Sequence, residues 1–65
     1  MILYDICLNQ NEEVIYAGCE EADSPNAAIE QARQYAQLPY NRALAYDAYD
    51  ESYDAKPLLE KVIIN

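Results

Sequence analysis

Sixty-five residues, 52% of them hydrophobic and with a single glycine and three prolines, describe one small domain (1–65) that is apolar enough to fold. Twelve acids against four bases and no histidine give a formal charge of −8, which disfavours direct binding of nucleic acid or anionic membranes and favours a basic protein partner. Two cysteines, Cys7 and Cys19, are too few for a disulfide scaffold and lack the C-x-x-C spacing of metal sites, so reduced thiols in a cytosolic protein are expected.

The opening M-I-L-Y-D lacks the basic segment and apolar run of a signal peptide, and no stretch is long enough to span a membrane, which makes the cytoplasm the expected location. From Ile2 to Leu8, Ile2, Tyr4, Ile6 and Leu8 alternate with Leu3, Asp5 and Cys7, the period of a half-buried strand. Asn9 to Glu12 supply a turn, and Val14, Ile15 and Tyr16 begin a second strand over about 13–19. A turn centred near Gln10 and Asn11 sets Ile6 against Ile15 and Tyr4 against Ala17, with Cys7 and Cys19 not opposed. Leu3, Cys7, Val14 and Tyr16 then occupy the outer face, which a second helix or a dimer mate is expected to cover.

Ser24 and Pro25 are an N-cap and a first helical residue, so a helix is expected over 25–37. Its narrow buried stripe is Ala28, Ile29, Ala32, Tyr35 and Ala36, and Leu38, biased away from helix by Pro39, ends it. The next stretch, Asn41 to Asp54, concentrates acids and tyrosines. At helical spacing Asp47, Asp50, Glu51 and Asp54 share one stripe, and Tyr46, Tyr49 and Tyr53 share its neighbour. Alternation over this stretch is poor, and Ala and Leu favour helix, so a second helix over 42–53 capped by Asn41 is preferred, with a fourth strand over 42–50 as the alternative. Residues 58–64 read as a final strand. The expected fold is therefore α+β: an antiparallel three-stranded sheet (about 2–8, 13–19 and 58–64) with one or two helices.

The run C-E-E-A-D-S-P-N-A-A-I-E-Q-A-R, Cys19 to Arg33, resembles the strand-to-helix junction of very small phage and mobile-element proteins, including some anti-CRISPR proteins and the DpnD/PcfM-like domains. It covers about a quarter of the chain and bears on architecture more than on activity. The resemblance implies an inhibitor that occupies a surface of a host defence complex, in the cytoplasm of the host cell.

Catalysis is not expected: there is no histidine, the cysteines are separated, and so short a chain leaves little room for a cleft of roughly 300 Å³ or more. Gly18, the sole glycine, excludes the glycine-rich nucleotide loops, and no cofactor is expected. Carboxylates diverging along a helix do not make a metal site. The candidate partner-binding residues are Asp47, Asp50, Glu51, Asp54, Tyr49 and Tyr53, with Glu20, Glu21 and Asp23 extending the acidic track. On a rigid helix those carboxylates would mimic the charge of DNA toward a basic, nucleic-acid-handling protein. The ordinary solvated face of a helix has the same pattern, so the alternative is a small self-associating structural or regulatory module of a phage or mobile element, a homodimer through the outer sheet face, with charge serving solubility.

Overall fold

In a computed structural model that describes residues 1–50 and 54–63, the element order is β1 (Ile2–Gln10), β2 (Glu13–Ala22), α1 (Pro25–Ala36), β3 (Arg42–Asp47) and β4 (Leu59–Val62). The strands form one antiparallel sheet in the order β2-β1-β3-β4, with α1 across one face. The fold is α+β, with four strands where three were preferred.

The alternation of β1 is realised: Tyr4, Ile6 and Leu8 are buried beneath α1. The expected register of the β1–β2 hairpin is not. Tyr4 pairs with Glu20 and Ile6 with Gly18, because the turn lies on Asn11 and Glu12 and because a bulge after Leu8 makes Ile15 an extra residue on β2. One residue of slip exchanges the faces of a strand. Tyr16, Gly18 and Ala22 accordingly lie on the helix side, and Ala17 on the outer side. Cys7 pairs with Ala17 and Cys19 with Asp5, so the two cysteines are not opposed, and both are free thiols.

The start of α1 follows its local signals. Ser24 Oγ accepts from the Ala27 amide at 3.1 Å, and Pro25 fills the first helical position. At the other end Gln37 takes the left-handed conformation (φ 54°), and its N–H reaches the Arg33 carbonyl. Ala28, Ile29 and Ala32 are fully buried, and their small stripe brings the helix close to the sheet. Tyr35, expected in that stripe, is instead 69% exposed, since its position turns past the contact line toward the rim of the helix.

The preferred second helix over 42–53 is corrected. Residues 42–47 are the strand β3, a turn follows at Ala48 and Tyr49, and Glu51 and Tyr53 lie outside the described residues. Helix propensity is a weak prior beside tertiary pairing, and β3 is bonded on both edges, to β1 and to β4. Its poor alternation also has a cause. Ala43 and Ala45 lie beneath the helix, where small residues are needed, while Leu44 on the opposite face is itself only 8% exposed, so both faces are apolar. Asn41 is not a helix cap. Its Oδ1 accepts from the Asn11 amide at 3.2 Å, and its own amide donates to the Asn9 carbonyl at 2.9 Å, tying the start of β3 to the hairpin turn. No helix among the described residues is long and apolar enough to cross a membrane.

Candidate partner-binding site

The carboxylates proposed from sequence do not form a helical stripe, but the sheet gathers several of them at one end. On the helix side Glu20 pairs with Tyr4, and Tyr4 pairs with Asp47 on its other flank, so two carboxylates bracket one buried tyrosine. Two strand spacings separate their Cα atoms by about 10 Å. One row outward Glu21 is opposite Leu3, whose carbonyl accepts from the Ala48 amide at 3.2 Å. Asp5 lies one row inward, between Cys19 and Tyr46. Asp23 continues from β2 into the helix cap, and Asp50 from β3 into its turn. Asp5, a member of this end that the linear pattern concealed, becomes visible only through the pairing.

Each acid has its own local setting. Asp47 shapes the turn after β3: its Oδ1 accepts from the Tyr49 amide at 2.9 Å, and its carbonyl accepts from the Asp50 amide at 3.1 Å. Tyr49 is projected from this turn and is 76% exposed. Glu20 accepts from the Tyr16 hydroxyl at 3.2 Å, and Tyr16 lies along the strand over Gly18, where an added Cβ would meet its hydroxyl at 2.8 Å. Desolvation, followed by the Glu20 contact, raises the Tyr16 pKa. Glu21 and Asp23 are exposed, as is Asp54.

Three of the four cations are paired, and the fourth, Lys56, is exposed and precedes β4 on the side of Asp47. Arg33 Nε donates to Glu30 at 3.0 Å, Lys61 Nζ donates to Asn26 at 2.7 Å and lies 3.5 Å from Glu30, and Arg42 Nε donates to Glu60 at 2.7 Å. Glu30 is held below the usual carboxylate range, first by the hydrogen bond from Arg33. Arg42 is opposite Asn9 and Lys61 is opposite Ala43, so both belong to the half of the sheet nearer the hairpin turn. Arg33, Arg42 and Lys61 are thus engaged with Glu30 and Glu60.

Other chemistry is limited. The Cys19 thiol donates to Asp5 Oδ1 at 2.9 Å, and this bond is the main cause that raises its pKa, so the thiolate is disfavoured. Among the described residues no group of three or more histidines, cysteines or acids is arranged to hold a metal ion. An open hollow of about 410 Å³ lies beside the end of α1, lined by Arg33, Gln37, Leu38, Pro39, Tyr40 and Ile63. It is larger than the cleft that a chain of this length was expected to accommodate, and its lining offers one guanidinium and no carboxylate or thiol. Compared with protein-family models, with curated proteins and with solved structures, the chain matches none.

Proposed function

We propose that this chain is an acidic protein-binding inhibitor, which occupies a basic, nucleic-acid-binding surface of a host defence complex with the acid-rich end of its sheet. The observation that carries the proposal is the grouping of Asp5, Glu20, Glu21, Asp23, Asp47 and Asp50 at that end, while Arg33, Arg42 and Lys61 are tied to Glu30 and Glu60. An excess of acid at one end steers a cationic partner and orients it. Tyr49, exposed beside these acids, suits stacking on arginine. A regularly spaced helical track imitating DNA is no part of this proposal, since residues 42–47 are a strand. The likeness of the Cys19–Arg33 junction to small phage proteins supports the choice of a host defence complex, met in the cytoplasm of the host cell.

A second reading is a module that self-associates through the sheet face opposite α1. It is favoured by the exposure of Val14 and Val62 and by the absence of a helix over that face among the described residues. It is weakened by Asp5, Glu21 and the Arg42–Glu60 pair, which interrupt the apolar area.

The test is retention of partners from a host lysate at low and high salt, with the wild-type chain and with a Glu21→Lys/Asp23→Lys double variant as bait. Expected is salt-sensitive retention of a nucleic-acid-handling protein, its loss with the variant, and loss of that protein's nucleic-acid binding when wild-type chain is added. Equal retention by the variant, or retention without interference in nucleic-acid binding, would refute the proposal.

A further inference from the structure

The outer edge of β2 offers backbone groups where the acid cluster offers side-chain charge. β2 is ten residues long and ends the sheet, so among the described residues one side of its backbone has no strand beside it. The direction of its backbone groups follows from the ladder. The Leu3 carbonyl bonds to Ala48 on the β3 side, so Leu3, Asp5 and Cys7 direct their backbone groups to β3, and Tyr4, Ile6 and Leu8 direct theirs to β2. Their partners Glu20, Gly18 and Tyr16 are therefore the inward-bonded residues of β2. Ala17, Cys19 and Glu21 lie between them and carry N–H and C=O groups directed away from the sheet.

Edges of this kind pair with other strands unless they are short, capped by proline or lysine, or bulged. The opposite edge, β4, is four residues long, follows Pro57 and contains Lys61. β2 has neither proline nor lysine, and its bulge at Ile15 disturbs only the end next to the turn. From Tyr16 to Ala22 its one protection is charge, and that charge is of one sign. The first lysine or arginine in the sequence is Arg33, so neither strand of the hairpin contains a cationic side chain, whereas Asp5, Glu12, Glu13, Glu20 and Glu21 all belong to it. A second copy is disfavoured by repulsion between chains that each have a formal charge of −8, and antiparallel self-pairing about Ala17 in addition sets Glu13 against Glu21 twice. An extended segment with lysine or arginine near its ends and uncharged residues at its centre meets no such penalty. Its ends would lie beside the acids, and its centre beside Ala17, Gly18 and Cys19.

We propose that the outer edge of β2, from Tyr16 to Ala22, takes an extended basic segment of a partner protein as a fifth strand, with backbone bonds to Ala17, Cys19 and Glu21. The basic character of the partner rests on the function proposed above; the mode of binding rests on the free edge. A suitable probe is a synthetic peptide of roughly strand length, Lys-Arg-Val-Thr-Val-Thr-Val-Arg-Lys, added to the full isotope-labelled chain while amide hydrogen exchange is followed by NMR. Expected is slowing by about tenfold or more at Ala17, Cys19 and Glu21, with little change at the already bonded Gly18 and Glu20. A peptide of equal charge with proline in place of each valine should leave these amides unchanged. The inference is overturned if the proline peptide protects the same amides, if binding leaves them unprotected, if the first peptide does not bind, or if the free chain protects them increasingly with its own concentration. Protection by the peptide without capture of a nucleic-acid-handling protein from lysate would remove the proposed function and leave the edge standing; the converse would remove the edge alone.

Discussion

Glu12 occupies a backbone conformation that disfavours it, and replacing it tests the hairpin on which the register of every acid in β2 depends. Asn11 (φ 53°) and Glu12 (φ 70°) are the two central residues of the turn between Gln10 and Glu13, and both are left-handed, the pattern of a type I′ hairpin. Asparagine tolerates this region, whereas a side chain such as glutamate incurs about 1–2 kcal/mol through the clash of its Cβ with the carbonyl. Glycine removes that clash but has more unfolded freedom to lose, at about 0.4–1 kcal/mol. The difference predicts that Glu12→Gly stabilises the chain by roughly 1 kcal/mol, a rise in melting temperature of about 4–8 °C for a domain near this size. Urea denaturation should show a higher midpoint with an unchanged slope. The substitution also removes a negative charge, so Glu12→Gln is the control. That variant keeps the Cβ and removes the charge, and should shift stability by less than about 0.5 kcal/mol. Equal stabilisation by Gln and Gly would assign the effect to charge, and no gain with Gly would refute the strain.

Two further substitutions examine the site. Gly18→Ala places a methyl group 2.8 Å from the present position of the Tyr16 hydroxyl, so the ring must swing aside and release Glu20. The Tyr16 pKa, raised in the wild type, should fall toward the ordinary tyrosine value in a spectroscopic titration, and an unchanged titration would refute this placement of the ring. The sign for stability follows: the folded wild type holds the Tyr16 proton more tightly than the unfolded chain, so that contribution is present at neutral pH and is lost as pH rises past the ordinary tyrosine range. Asp5→Ala removes the acceptor of the Cys19 thiol, lowers its pKa and should speed alkylation of Cys19 at mildly alkaline pH, with Cys7 as the internal reference in peptide mass analysis. A rate unchanged relative to Cys7 would show that the thiol–carboxylate bond does not control reactivity.

Several positions of the candidate site are legible in the sequence only as members of an acidic set. Glu20, Glu21 and Asp23 were recognisable as an acidic run before a capped helix, but their relation to Asp47 depends on Tyr4, which pairs with Glu20 on one side and Asp47 on the other. No linear pattern joins residues from strands at both flanks of a third. Asp5 is concealed for the same reason: it reads as an isolated polar residue in an apolar strand until the ladder sets it beside Cys19. Asn41 is the converse case. Asparagine before a run of Ala and Leu is a sound helix cap locally, yet here it bonds the turn thirty residues earlier.

The features legible in the chain alone are those governed by neighbouring residues. The alternation of β1, the Ser24–Pro25 start of α1 and its end before Pro39 were all legible, because capping bonds and restricted dihedrals act within a few residues. The excess of acid over base was equally plain. Tertiary structure alone decided that 42–47 is a strand and not a helix, since its intrinsic preference of a few tenths of a kcal/mol per residue is outweighed by two flanking strands. It also decided the bulge at Ile15, which exchanges the faces of β2 and with them the surroundings of its acids. Register is a relation between strands distant in the chain, and in this protein it determines which carboxylates share a surface.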